Sequence, residues 1–163
     1  MKKYIYILFT GLSFSLVAQN NLNDLLKKYN TESVPYISVD SLKSFSTTVI
    51  LLDARAKKEY KVSHLKKALF VGYEKFNLKK TMKSIPNKNA KIVVYCSLGI
   101  RSEDIAAQLK KAGYTNVLNL YGGIFAWKNN GNTVYNSKEI ATEKVHTFTK
   151  EWSTWLLKGE KVY

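Results

Sequence analysis

Lys91-Ile92-Val93-Val94-Tyr95-Cys96-Ser97-Leu98-Gly99-Ile100-Arg101-Ser102 is the stretch on which the fold turns. Ile92 to Tyr95 is apolar without alternation, as in a strand covered on both faces. The pattern then becomes helical, and a helix is expected from Ser102 to Ala112, stopping at Gly113. Between strand and helix lies a short loop that opens on Cys96, the one cysteine of the chain. A lone thiol cannot form a disulfide within its own chain. At a strand-to-helix junction it sits under the positive end of a helix dipole, which favours the thiolate. That is a position for a nucleophile. The plainer reading, an inert core cysteine, leaves the special loop without a reason.

Strands and helices alternate on either side of this stretch. Strands are expected at Tyr36 to Val39, Thr48 to Leu52, Leu69 to Val71 and Asn116 to Leu120. Asn21 to Asn30 reads as a short polar helix, Asp40 as the cap of a helical turn, Lys57 to Lys61 and Glu74 to Lys83 as helices. Gly122-Gly123 opens a helix through Lys128. Such alternation builds an open, mostly parallel α/β sheet with helices on both faces. Working groups in such sheets lie at the carboxyl ends of strands, where Cys96 and Asp53 both fall. Thr142 to Leu157 reads as a separate amphipathic helix, with Val145, Phe148, Trp152, Trp155 and Leu156 on one face. Packing against its own domain is favoured over docking a partner, because large exposed apolar patches are uncommon.

The chain has 163 residues, enough for one ordinary core, and its 45% hydrophobic content argues against disorder. Its formal charge is +14, yet 24 of the 26 basic residues are lysines and only Arg55 and Arg101 are arginines. Phosphate clamps and base readers rely on the arginine fork. The lysines are scattered, so a solvated surface is favoured over a nucleic-acid partner. Two arginines kept in a lysine-using chain suggest places where a planar fork is needed.

Residues 1–18 resemble an export signal, with Lys2 and Lys3 ahead of the apolar stretch Tyr4 to Val17 and Ala18 as its last residue. The stretch is short for a membrane span. Export, to the periplasm, is therefore expected, with no stable membrane association after cleavage. An uncleaved anchor is the alternative. The expected organisation is a signal at 1–18, a helical extension at 19–34, a domain at 35–135 and a helical extension at 136–163.

Around Cys96 the backbone can curl so that several N–H groups face inward, and Gly99 permits the positive φ this requires. Inward N–H groups beside a helix start make an anion nest. A thiolate or anionic persulfide suits it, and Leu98 and Ile100 add apolar edges that favour polarisable sulfur over hydrated phosphate. Arg101 could contact an anionic substrate or brace the loop. Asp53 and Arg55 read as a supporting ion pair. His64 reads as a hydrogen-bonded structural residue, since a thiolate stabilised by dipoles needs no base. Trp127 is expected in the core. Two histidines and one cysteine make no credible zinc set.

These residues resemble the rhodanese-like sulfurtransferases over roughly residues 35 to 135. Leu51-Leu52-Asp53-Ala54-Arg55 is similar to the family's Asp-x-Arg segment, and Glu59-Tyr60, His64-Leu65 and Ala68 to its Glu-Tyr, Gly-His-Ile and Gly-Ala positions. Cys96 to Arg101 resembles the active-site loop, and Tyr121-Gly122-Gly123-Ile124-Phe125-Ala126-Trp127 the Gly-Gly-x-x-Ala-Trp signature. Ser63 and Lys67 stand where glycines are usual, and Thr133 where proline is common.

The resemblance implies a three-layer domain with a central, mostly parallel sheet. It also implies a mechanism. Cys96 attacks the sulfane sulfur of a small anionic donor such as thiosulfate and becomes a persulfide, which a thiol or cyanide discharges. The N–H groups of Ser97, Leu98, Gly99, Ile100, Arg101 and Ser102 would hold that sulfur. No metal or organic cofactor is implied, and a protein could be the sulfur acceptor. Two alternatives remain. One is a sulfur carrier or partner-binding module without turnover. The other is a phosphatase or arsenate reductase of related fold, whose wider loop has five residues between cysteine and arginine where this chain has four.

Overall fold

A five-stranded parallel sheet forms the centre of the computed structural model, which describes residues 22–45 and 48–163. Its strands are β1 (Tyr36–Ile37), β2 (Ile50–Asp53), β3 (Leu69–Phe70), β4 (Ile92–Tyr95) and β5 (Val117–Leu120), side by side in the order β1-β5-β4-β2-β3. The helices are α1 over 22–29, α2 (Val39–Ser44), α3 (Lys57–Val62), α4 (Leu78–Ser84), α5 (Arg101–Lys111) and α6 (Gly123–Asn129). The chain divides into residues 1–31, which carry α1, and residues 32–163, which carry all that follows. The signal expected at 1–18 lies outside the described residues. Among the described residues no helix is long and apolar enough to cross a membrane.

β4 is the central strand, and all four of its residues are buried. That is why its sequence is apolar without alternation: helices cover both faces of the sheet. In α5, Ser102, Ile105, Ala106 and Leu109 recur at helical spacing and are buried. Ile105, Ala106 and Leu109 join Leu52, Val94 and Val117 in the main core. Parallel register sets Leu52 beside Val94 and Asp53 beside Tyr95. β2 and β4 therefore end at the same edge, and Ala54 and Cys96 are the residues just beyond them, with Arg55 next along the chain.

Helix starts follow the caps. Ser38, rather than Asp40, caps α2 by accepting from the Ser41 N–H at 3.1 Å. Asn77 caps α4 through the Lys80 N–H at 2.9 Å, so that helix starts at Leu78 instead of Glu74. Trp127 is half-buried rather than in the core. Its indole N–H donates to the Thr133 carbonyl at 2.9 Å, while Phe125 is the buried aromatic of α6.

The helix expected over Thr142 to Leu157 is absent, and 136–163 is not a helical extension. Instead β7 (Ala141–Thr142) pairs antiparallel with β6 (Val134–Tyr135), and β8 (Lys144–His146) pairs parallel with β9 (Glu160–Val162). A 3-10 turn, Trp152–Trp155, links the latter two strands. The apolar spacing is helical, but the β-branched and aromatic run Val145-His146-Thr147-Phe148-Thr149 favours extended backbone, and pairing with β9 outweighs the spacing. The segment packs on its own domain. Val145 and Leu156 are buried, and the Asn129 amide at the end of α6 bonds the Trp155 carbonyl and the Leu157 N–H.

Candidate active site

Cys96 follows β4 directly, and its side chain is buried. The backbone turns back on itself at Gly99, with φ of 109°, a conformation that strains any residue carrying a Cβ. The turn points the Gly99 N–H at Cys96 Sγ, 3.1 Å away, and the Ser102 hydroxyl lies 3.5 Å from the same sulfur. Burial pushes the thiol up. The charge of Arg101, the Ser102 hydroxyl and the N–H groups of Ser102 and Gly99 outweigh it, so the thiol titrates below its ordinary value.

The loop's carbonyls face the other way and meet the first turn of α6. Ile124 N–H donates to the Cys96 carbonyl at 2.9 Å and Phe125 N–H to the Ser97 carbonyl at 3.2 Å. Two orphan donors of a helix start are satisfied by the loop, and the loop is held by a helix. Gly123 makes this approach possible. A Cβ there would sit 2.3 Å from the Cys96 carbonyl oxygen and 2.6 Å from that of Ser97.

Arg101 braces the loop. Its Nη1 and Nη2 donate to Glu59 Oε2 at 2.8 Å and Oε1 at 2.9 Å, and Nη2 also reaches Ser97 Oγ at 3.0 Å. The guanidinium thus ties both ends of the loop to α3. Of the two roles open from sequence, substrate contact or brace, this geometry is the brace. Leu98 is buried and Ile100 half-buried at the start of α5. Of the expected loop residues, Ser97 faces Glu59, Gly99 and Ser102 face the sulfur, and Arg101 spans the loop.

Asp53 and Arg55 lie beneath, both fully buried, joined at 2.7 Å, with Arg55 also donating to the Ser63 carbonyl. Burial opposes the Arg55 charge, and Asp53 more than restores it. His64 is also buried. It stacks on Tyr60, its Nε2 lies 2.7 Å from Glu139, and its Nδ1 lies 3.1 Å from the Tyr60 carbonyl. Both ring nitrogens of His64 are thus engaged, one by Glu139 and one by the Tyr60 carbonyl.

Two residues escaped the reading of the sequence as site residues. Glu59 was visible only as part of the Glu-Tyr pair. Asn119, on β5, accepts from the Ser102 hydroxyl at 2.7 Å and donates to the Gly99 carbonyl at 2.8 Å. The one available signal for Asn119 is an amide inside an otherwise apolar strand, Val117-Leu118-Asn119-Leu120. A buried amide needs partners, and the loop supplies them.

The model of the rhodanese-like domain family matches residues 38–130. A sulfurtransferase of Allochromatium vinosum is 37% identical over 83 residues, covering 51% of this chain and 75% of the relative. A tRNA uridine(34) hydroxylase of Aster yellows witches'-broom phytoplasma is 36% identical over 88 residues, covering 48% of this chain but only 27% of that protein. Its counterpart from Onion yellows phytoplasma is likewise matched over 37% of its length. Among solved structures, the rhodanese-like domain of an Anabaena protein aligns with a TM-score of 0.56 at 26% identity, covering 63% of this chain and 79% of that one. Pseudomonas aeruginosa thiosulfate sulfurtransferase aligns with a TM-score of 0.61 at 15% identity, covering 85% of this chain and 26% of that one, a likeness of fold alone.

Proposed function

The chain belongs to the rhodanese-like domain family, and from that premise we propose that it is a sulfurtransferase working through a persulfide on Cys96. The observation that carries this reading is the lowered thiol facing the Gly99 N–H at 3.1 Å inside a loop of four residues closed by Arg101. The Cys96 thiolate attacks the outer sulfur of thiosulfate. A new S–S bond forms on Cys96, the S–S bond of the donor breaks, and sulfite leaves with the electron pair. A thiolate or cyanide then attacks the terminal sulfur and returns Cys96 as thiolate. N–H groups facing the sulfur stabilise the charge it carries in both steps.

No second cysteine can take the sulfur within this chain, so the acceptor is external: a small thiol, cyanide, or a cysteine of another protein. Export to the periplasm, followed by work free of the membrane, completes the proposal and rests on the character of residues 1–18.

Thiocyanate formation from thiosulfate and cyanide tests the reading, with Cys96→Ser as control. Turnover by the wild type alone, with a mass gain of one sulfur atom on Cys96, is expected. A persulfide that forms but never turns over would make the chain a sulfur carrier, and hydrolysis of an aryl phosphate would make it a phosphatase.

A further inference from the structure

Phe148 lies beyond the residues matched by the family model, yet it touches the site. The Arg101 guanidinium stands over its ring, 4.9 Å from the centroid. Two features of Phe148 are at odds with a plain packing role. The residue is 47% exposed. Its φ is 69°, a region in which glycine is at ease and an aromatic residue is not.

The conformation is imposed from both sides. β8 pairs with β9, and the Thr147 N–H donates to the Val162 carbonyl at 2.8 Å. The Phe148 N–H donates to His146 Nδ1 at 3.0 Å, and the Thr149 N–H reaches back to the Thr147 carbonyl at 2.8 Å. About half of Phe148 stays in water, so burial accounts for only part of its placement. The cation–π contact with Arg101 adds to it.

We propose that Phe148 is a positioning residue for the Cys96 loop: presented from the C-terminal β8 segment, its ring restrains the Arg101 guanidinium in its pair with Glu59 and so keeps the loop closed around the sulfur. The proposal rests on Cys96 being the sulfur-transfer nucleophile. Arg101 joins Glu59 to Ser97, so a guanidinium free to swing would loosen the loop whose N–H groups face the sulfur. Loosening lowers the rate of the bound complex more than it weakens donor binding.

The test uses the full chain with Phe148→Gly, Phe148→Leu and Phe148→Tyr. The glycine variant relieves the backbone and removes the ring, the leucine variant keeps bulk without a π face, and the tyrosine variant keeps the ring. Thiosulfate–cyanide turnover is expected to fall in kcat by about three- to tenfold in the glycine and leucine variants, with KM within about twofold, and to return in the tyrosine variant.

A second readout needs no turnover: the pH midpoint of Cys96 alkylation by iodoacetamide. The charged and titratable groups around Arg101 are Glu59 of α3, Arg55 past β2, His146 of β8 and Cys96 itself, with Tyr73, bonded to Asp104 of α5, within reach of the charges of Arg101 and Cys96. All are unchanged in the variants, so an upward shift of the midpoint reports displacement of the Arg101 charge. An upward shift in the glycine and leucine variants, reversed in tyrosine, with the melting temperature of the glycine variant at or above wild type, is expected. An unmoved midpoint in both overturns the proposal, as does equal loss in all three. If the wild type itself fails to turn over, the sulfur-transfer reading falls and the midpoint alone decides the role of Phe148.

Discussion

Glu59 holds a full charge out of water at the root of the loop, and four donor contacts account for it: the Ala56 N–H, two from the Arg101 guanidinium and one from the Ser97 hydroxyl. Burial alone would raise its carboxyl. Arg101, then the charge of Arg55 and the Ala56 N–H, outweigh burial, so it titrates below the ordinary glutamate value. The folded-state value is therefore lower than the unfolded one. The resulting stabilisation is complete above the unfolded value and is lost as pH falls through the folded value. Glu59→Gln is expected to cost about 3–5 kcal/mol at neutral pH, because it leaves Arg101 without its carboxylate. It should also flatten the acid limb of stability against pH, measured by denaturant unfolding between about pH 2 and pH 7. An unchanged acid limb would remove Glu59 from this role. The sequence shows Glu59 as an acid on a short helix and nothing more, since its partner Arg101 lies 42 residues away. Cys96 and Gly99, by contrast, are legible because thiol, turn and helix start are neighbours in sequence.

Elements meet most closely where the start of α6 docks on the loop after β4. The Gly122-Gly123 pair reads from sequence as a helix opening. Why a side chain is refused at Gly123 appears only when the Cys96 and Ser97 carbonyls are beside it. Gly123→Ala combines a positive φ of 53° with a clash against backbone. It is expected to lower stability by roughly 3 kcal/mol or more and to remove sulfur transfer, read by thermal melting and by thiocyanate formation. A chain with wild-type melting and turnover would mean that the two backbones separate without cost. The departures from the family pattern sort by the same physics. Ser63 has φ of −163°, extended backbone open to any residue, so no glycine is needed. Lys67 has φ of 60° and occupies a conformation that glycine would hold more easily. The C-terminal segment carries helical spacing yet forms strands, because non-local pairing overrides a local pattern. Its strands exist through pairing of Lys144 to His146 with Glu160 to Val162, and that pairing is not local.

Across the whole molecule the formal charge, +14 for the full sequence and +12 without Lys2 and Lys3 of the proposed signal, sets a field that small anions feel before they reach Cys96. For thiosulfate, kcat/KM is expected to fall about two- to tenfold between low salt and 0.5 M salt, where the Debye length shrinks to a few Å. Alkylation of Cys96 by neutral iodoacetamide at fixed pH should change far less. Equal salt dependence of both would mean that the lysines do not steer the donor. The amino-acid sequence by itself determined the alternation of strands and helices, the buried central strand, the loop that opens on Cys96 and its four-residue span to Arg101. Each of these depends on periodicity, turn chemistry and spacing among neighbouring residues. Only the tertiary structure decided that Arg101 is a brace on Glu59, that Asn119 anchors the Gly99 turn, and that Phe148 stands beside the site. Those contacts join residues far apart in sequence, and they come into being when the sheet order and the C-terminal strand pairing bring separate elements to one edge.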